Sequence, residues 1–416
     1  MKVLVTHAYS NDNKGDATLL SVLLSDIRRA FKKPQIAILT TEQIKDGGSF
    51  EQAKLGHSFM YHAFNRFHSK PAKLLYSMFV VASTLAWAYV FKYLNFSIPL
   101  PSSLKKVSEQ YRRADLITGV GGGYLRGKPS FASTIELILL LHPLKIAQIL
   151  SRPTVLYTQS IGPFSNKLQQ LLVRETLKKV ELIIVREDIS LKLLRQMDIS
   201  KNVIRSADCA FAFQGNNPVD WQALLGLPKN QQLVGITVRS WLDKSRQAKY
   251  EKSVAALADN LAQKGYRVVF IPQVTCEHEN DDDRSVTARV NEYMRYKNEA
   301  VVLTEKIDHY EIQSLYGGLD YLVGTRFHSV IFALKSFVPA LAIEYEHKTS
   351  GIMRDLGLEE WVINIEDVSP AKLIKNTDLL LKSGTQYRDQ LKRNIPPYVK
   401  KAKLTYKYLQ QVYERH

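Results

Sequence analysis

Short apolar runs alternating with helix-patterned segments along nearly the whole chain limit its fold more than any other feature. Residues 3–6, 36–39, 115–118, 154–157, 182–185 and 203–204 read as strands, and 17–31, 135–150 and 167–180 as helices between them. After a polar break at Gln214-Gly215-Asn216-Asn217-Pro218 the alternation resumes. Strands are expected at 233–238, 268–271, 301–303, 321–323 and 339–343, and helices at 254–262, 288–294 and 310–316. Strands separated by helices form parallel sheets covered on both faces. A chain of 416 residues exceeds one ordinary core, so two domains of about 150–200 residues each are expected.

The expected boundaries are 1–215, 216–378 and a basic, Tyr-rich helical tail over 379–416 that packs back on the domains. The fold class is α/β: two Rossmann-like doubly wound domains facing each other across a cleft, in the GT-B arrangement. Ligands of such sheets bind beyond the carboxyl ends of the strands, where most of the polar motifs fall.

Gly324-Thr325-Arg326-Phe327-His328-Ser329 carries the clearest chemistry. A strand, a Gly and a helix start make an anion site, because first-turn N–H groups lack partners within the helix and the dipole favours negative charge. Arg326 adds a forked, permanent cation, and His328 a proton carrier near neutral pH. The competing reading is a buried capping Arg and a core His. Arg186 and Arg239 also stand at strand ends, and with Arg326 they offer three guanidinium groups to a small anionic ligand. Asp16, in Asn13-Lys14-Gly15-Asp16, reads either as the N-cap of the first helix or as an acceptor-side carboxylate. The run Gly119-Val120-Gly121-Gly122-Gly123 permits close backbone approach but does not fit GxGxxG, since Tyr124 stands at the last Gly. Gln159 opens a polar turn or contacts a ligand. Asp282 and Asp283 read as a solvated helix start, and no metal site is expected.

The net charge of +17 calls for an anionic partner; no nucleic-acid motif appears, so nucleic acid is not expected. Two cysteines, Cys209 and Cys276, form no disulfide framework and suit a reducing cytoplasm. With a strand expected from the first residues, no signal peptide is expected. Residues 74–91 are an uncharged run of 18, flanked by Lys70, Lys73 and Lys92. Peripheral docking on an anionic membrane is the leading reading of this insertion (about 70–100); a buried or oligomer helix and a true span are the others.

In order, these motifs resemble the polysaccharide pyruvyl transferase family. The resemblance runs from Asn13-Lys14-Gly15-Asp16 through Gly119–Gly123, Thr158-Gln159-Ser160-Ile161-Gly162-Pro163, Val185-Arg186-Glu187-Asp188, Ala207-Asp208, Gly235-Ile236-Thr237-Val238-Arg239 and Thr325-Arg326-Phe327-His328 to Glu344-Tyr345-Glu346-His347-Lys348. Cys209 stands where the family usually has Pro, and the apolar insertion is not a general feature of it. The resemblance implies transfer from phosphoenolpyruvate, a co-substrate rather than a bound cofactor, to two hydroxyls of a sugar on a lipid-linked precursor. The family's site pattern falls on Arg239, Arg326 and His328. Donor binding is expected from Arg239, Arg326, Arg186 and Phe327, with His328 as acid–base group or phosphate ligand and Asp16 as a catalytic candidate on the acceptor side. Acceptor contacts then fall to Asn13, Gly121, Gly122 and Gln159. The expected place is the cytoplasm, against the inner face of the membrane. A nucleotide-sugar glycosyltransferase and a non-catalytic anion- or membrane-binding protein are the alternatives. The acceptor sugar and the oligomeric state are not legible.

Overall fold

The computed structural model describes residues 1–42, 53–276, 281–304 and 307–415. Among them the chain divides into two compact units. The first comprises Met1–Ser10, Leu19–Cys209 and Lys403–His416; the second comprises Asn11–Thr18 and Ala210–Ala402.

The first unit holds a seven-stranded sheet with every pairing parallel. Its strands are β1 (Lys2–Ala8), β2 (Gln35–Thr40), β3 (Ala53–His57), β4 (Leu116–Gly119), β5 (Thr154–Gln159), β6 (Leu182–Val185) and β7 (Val203–Arg205), in the order β3-β2-β1-β4-β5-β6-β7. The second unit holds a six-stranded parallel sheet. Its strands are β8 (Leu233–Thr237), β9 (Arg267–Phe270), β10 (Ala300–Val302), β11 (Tyr321–Gly324), β12 (Ala340–Glu344) and β13 (Val362–Asn364), ordered β10-β9-β8-β11-β12-β13. Central strands β4, β5, β6, β8 and β11 are buried along their length, as continuous apolar runs under two helical layers must be. Each sheet reverses winding direction once, between β1 and β4 and between β8 and β11. A ligand crevice opens at such a reversal. This is the expected class, two Rossmann-like doubly wound α/β domains of GT-B type.

Several details differ from expectation. Strands β3 and β13 lie outside the expected set: both are sheet edges, β3 lacks an apolar run and β13 is only three residues long. The first helix, Lys14–Ala30, starts a turn early because Asn13 Oδ1 accepts from the backbone N–H of Gly15 (3.1 Å) and Asp16 (3.4 Å). Asp16 is therefore not the cap. The tail is two helices, Gly384–Lys403 and Tyr406–Tyr413. The last part returns to the first unit, where Gln410 donates to the Ala30 carbonyl and Tyr413 packs on Phe31.

The apolar insertion forms the helix Lys70–Leu94, capped by Ser69 and closed by Asn95 in the left-handed region. Ser77, Val80, Thr84, Trp87 and Ala88 are buried in the first unit's core with Phe59, Tyr111 and Ile146. Thr84 Oγ1 lies 2.8 Å from His142 Nε2 there. The opposite face exposes Leu75, Met78, Phe79, Tyr89 and Tyr93. Among the described residues a second helix, Phe131–Ile149, is also long and apolar enough to cross a membrane, and most of it is core.

Candidate active site

In the second unit two arginines stand at the sheet's reversal point. Arg239 follows β8 and Arg326 follows β11, the two strands that flank the reversal. Thr237 Oγ1 accepts from the backbone N–H of Thr325 (3.0 Å) and Arg326 (3.2 Å), pinning the turn that opens the helix Phe327–Lys335. The anticipated pool of free amides is thereby reduced, and the side chains dominate the site.

Arg326 is buried, and its fork grips Asp283. Nε donates to both carboxylate oxygens (2.9 and 3.1 Å), and Nη2 donates to Oδ1 at 2.6 Å. Asp283 itself is fully buried and also accepts from the backbone N–H of Gln273 and Val274. A helix does start here as expected, but neither carboxylate is solvated: Asp282 and Asp283 are both buried. Asp282 does cap the helix Asp283–Tyr293, but Asp283 points inward to the arginine. Burial works against the Arg326 charge, and Asp283 with Asp281 more than restores it.

Asp281 stands at the mouth, its side chain 42% exposed. One of its oxygens, Oδ1, receives Arg326 Nη2 at 2.6 Å and Arg239 Nη2 at 3.5 Å. Two guanidinium groups from different strands therefore converge on a single oxyanion. Arg239 is held between rings, 4.0 Å from the Tyr345 centroid and 4.6 Å from that of Trp241. Lys348, paired with Glu346 at 2.8 Å, lies over the rings of Tyr345 and Phe327.

His328 sits in the first turn after Arg326, and the segment Asn11–Thr18 comes against it. A Cβ on Gly15 would lie 2.0 Å from His328 Nδ1, so only glycine lets this backbone rest on the imidazole. The segment is fixed to the second unit by Lys14 N–H donating to the Gln273 carbonyl and by a bridge between Asn13 and Val274. Asn13 Nδ2 donates to Asp16 Oδ2 at 2.8 Å. Asn13 and Asp16, expected on the N-terminal domain, thus belong to the unit that carries His328.

Other candidates fall elsewhere. Arg186 is sealed inside the first unit, donating to Asp208 (2.7 Å) and Ser160 (2.7 Å), with both members of the ion pair at most 1% exposed. It braces the core and offers no clamp. Gly121 and Gly122 are buried, and a Cβ on Gly121 would meet Thr158 Oγ1 at 2.6 Å. The smallness of Gly121 lets the chain after β4 pass close to Tyr157 and Thr158 of β5. Gln159 is wholly buried and donates to the Tyr124 hydroxyl at 2.9 Å, so it closes that packing. Phe327 is buried beneath Lys348 rather than open to a ligand. Asp281, Asp283, Trp241, Tyr345 and Gly15 are the site members that residue-level reading missed. Among the described residues no group of three His, Cys, Asp or Glu is arranged to hold a metal.

A family model described as polysaccharide pyruvyl transferase matches residues 13–347. The chain is 24% identical over 411 residues to the amylovoran biosynthesis protein AmsJ of Erwinia amylovora, with 95% of each covered. Among solved structures it is similar to UDP-GlcNAc 2-epimerase from Neisseria meningitidis, with TM-score 0.61, 10% identity and all of both chains covered. Sucrose-phosphate synthase from Thermosynechococcus elongatus gives TM-score 0.59 and 14% identity over 100% of this chain and 98% of that one. At those identities the likeness is one of fold.

Proposed function

The chain belongs to the polysaccharide pyruvyl transferase family, and on that premise we propose that it makes a pyruvate ketal on a sugar of a surface-polysaccharide precursor. Phosphoenolpyruvate is the donor and phosphate the leaving group. The observation that carries the donor assignment is the convergence of Arg239 and Arg326 on one oxygen of Asp281. Asp281 holds the place of a donor oxyanion at the mouth, while Asp283 keeps Arg326 in position from behind. Charge-assisted, forked contacts suit a small polyanion. His328, with Asp16 in the neighbouring turn, serves as acid–base group or phosphate ligand. The relationship to a protein of amylovoran biosynthesis supports the polysaccharide side of this reading.

The acceptor is a lipid-linked glycan met at the inner face of the cytoplasmic membrane. The exposed face of Lys70–Leu94, apolar along Leu75, Met78, Phe79, Tyr89 and Tyr93 and flanked by Lys70 and Lys92, supports peripheral docking. Its buried face is committed to the core, so the segment lies on the surface rather than standing apart from the domain.

The test is incubation with phosphoenolpyruvate and lipid-linked glycans. The acceptor should gain one pyruvic acid less one water, with one phosphate released per transfer. Transfer from a nucleotide sugar instead would overturn the reading in favour of glycosyl transfer. Polar replacement of Leu75, Met78 and Phe79 should release the protein from anionic liposomes while sparing a water-soluble acceptor analogue.

A further inference from the structure

Resting on that donor assignment, we propose that Tyr345 hands the proton to the methylene carbon of phosphoenolpyruvate, and that arrival of the donor loads it. Tyr345 follows β12 directly, half-buried, in a cage of cations from three segments. Arg239, after β8, lies 4.0 Å from its ring centroid. Lys348 Nζ, from the following helix, is 5.3 Å away, and Arg326, before the helix Phe327–Lys335, adds its field. Trp241 packs on the ring at 4.8 Å. The carboxylates of this neighbourhood are engaged with the same cations: Asp281 and Asp283 with Arg326, and Glu346 with Lys348.

Nearby cations favour the phenolate over the phenol. Burial pulls the other way, but Lys348, Arg239 and Arg326 outweigh it and bring the hydroxyl down to about 7. Near neutral pH the free protein therefore carries a substantial phenolate fraction. Phosphoenolpyruvate is a polyanion gripped by Arg239 and Arg326, two of the three cations that hold that phenolate. Once bound, it offsets their charge and repels the phenolate, so the hydroxyl moves back toward its ordinary value of about 10. Tyr345 then takes a proton from solvent. A base becomes an acid as the donor settles.

The chemistry balances around this group. The methylene carbon takes the Tyr345 proton while the first acceptor hydroxyl bonds to the adjacent carbon and returns its own proton to the phenolate. The carbon–oxygen bond to phosphate breaks, and its electron pair leaves with the phosphate. The second hydroxyl then closes the ketal and gives its proton to the departing phosphate. No oxidant or further reactant is needed.

The test follows the tyrosinate ultraviolet band of the full-length protein during titration with phosphoenolpyruvate at about pH 8. Binding heats are measured in parallel, in two buffers of different ionisation enthalpy. The band should shrink as donor binds, with close to one proton taken up per donor. Tyr345→Phe should bind donor within a few-fold of the unaltered protein, lose both signals and turn over about 10²–10⁴-fold more slowly. Lys348→Met should move the free protein's tyrosinate titration to higher pH and reduce uptake at the original pH. Donor binding without proton uptake, or Tyr345→Phe with unchanged turnover, overturns the role of Tyr345 and leaves pyruvyl transfer standing. Failure of the unaltered protein to bind the donor at all overturns both.

Discussion

Arg186 and Arg326 look alike in one dimension and behave as opposites in three. Each stands within two residues of the end of a buried strand, β6 or β11, and each ends in a buried carboxylate pair. Arg186 and Asp208 are both sealed, and Arg186 Nε also donates to Ser160 Oγ. Arg326 keeps a second carboxylate, Asp281, at an open mouth and shares it with Arg239. The lesson concerns exchangeability. A charge whose partners are all interior is framework, whereas one whose outer partner meets water can trade that partner for a ligand.

Four experiments probe the contrast, from the largest expected effect to the smallest. His328→Ala, on the open side, should lower turnover by about 10²–10⁴-fold with the melting temperature preserved; a collapsed melting temperature with normal turnover in the folded fraction would make it a core residue. Arg186→Ala, on the sealed side, strands Asp208 in the interior and should cost about 3–5 kcal/mol of stability, read by denaturant unfolding, with donor affinity unchanged in the folded fraction. Arg239→Ala should do the reverse, weakening phosphoenolpyruvate by roughly 1.5–3 kcal/mol in calorimetry while barely moving the unfolding midpoint. Lys at that position should rescue only partly, lacking the fork. Asp281→Asn removes the resident carboxylate and should tighten donor binding by about 1 kcal/mol or less, as an exposed pair allows. If Asp281→Asn instead weakens the donor, the oxyanion at the mouth is part of the grip rather than its placeholder.

The sheets were largely legible because their central strands are continuous apolar runs, and burial on both faces leaves that signature. Edge strand β3, Ala-Lys-Leu-Gly-His, has only a partial apolar face to declare itself. The strand-end arginines were also visible, but their division into brace and clamp was not. Asp281-Asp282-Asp283-Arg284 reads locally as a solvated turn, and what buries Asp283 is a guanidinium 43 residues further on. Tyr345 lies within Glu344-Tyr345-Glu346-His347-Lys348, yet nothing in those five residues announces the Arg239 guanidinium that stacks on its ring. Asp16 was placed by chain order with the first sheet, whereas bonds from its neighbours Asn13 and Lys14 hold its turn to residues 273 and 274.

The placement of Asn11–Thr18 has a consequence for how the protein comes into being. Gly15 leaves the ribosome 313 residues ahead of His328 (328 − 15), the ring it must lie against. At about 5–20 residues per second, that is a wait of roughly 15–60 s. Throughout it, β1 is synthesised while the turn after it lacks its resting place. The candidate active site is therefore among the last parts to assemble. A C-terminal fragment beginning near Ala210, even if its sheet folds, would emerge without the turn that covers His328. Supplying residues 1–30 in trans, or grafting 11–18 onto that fragment, asks whether completion of the site or completion of the chain is the event that switches the protein on.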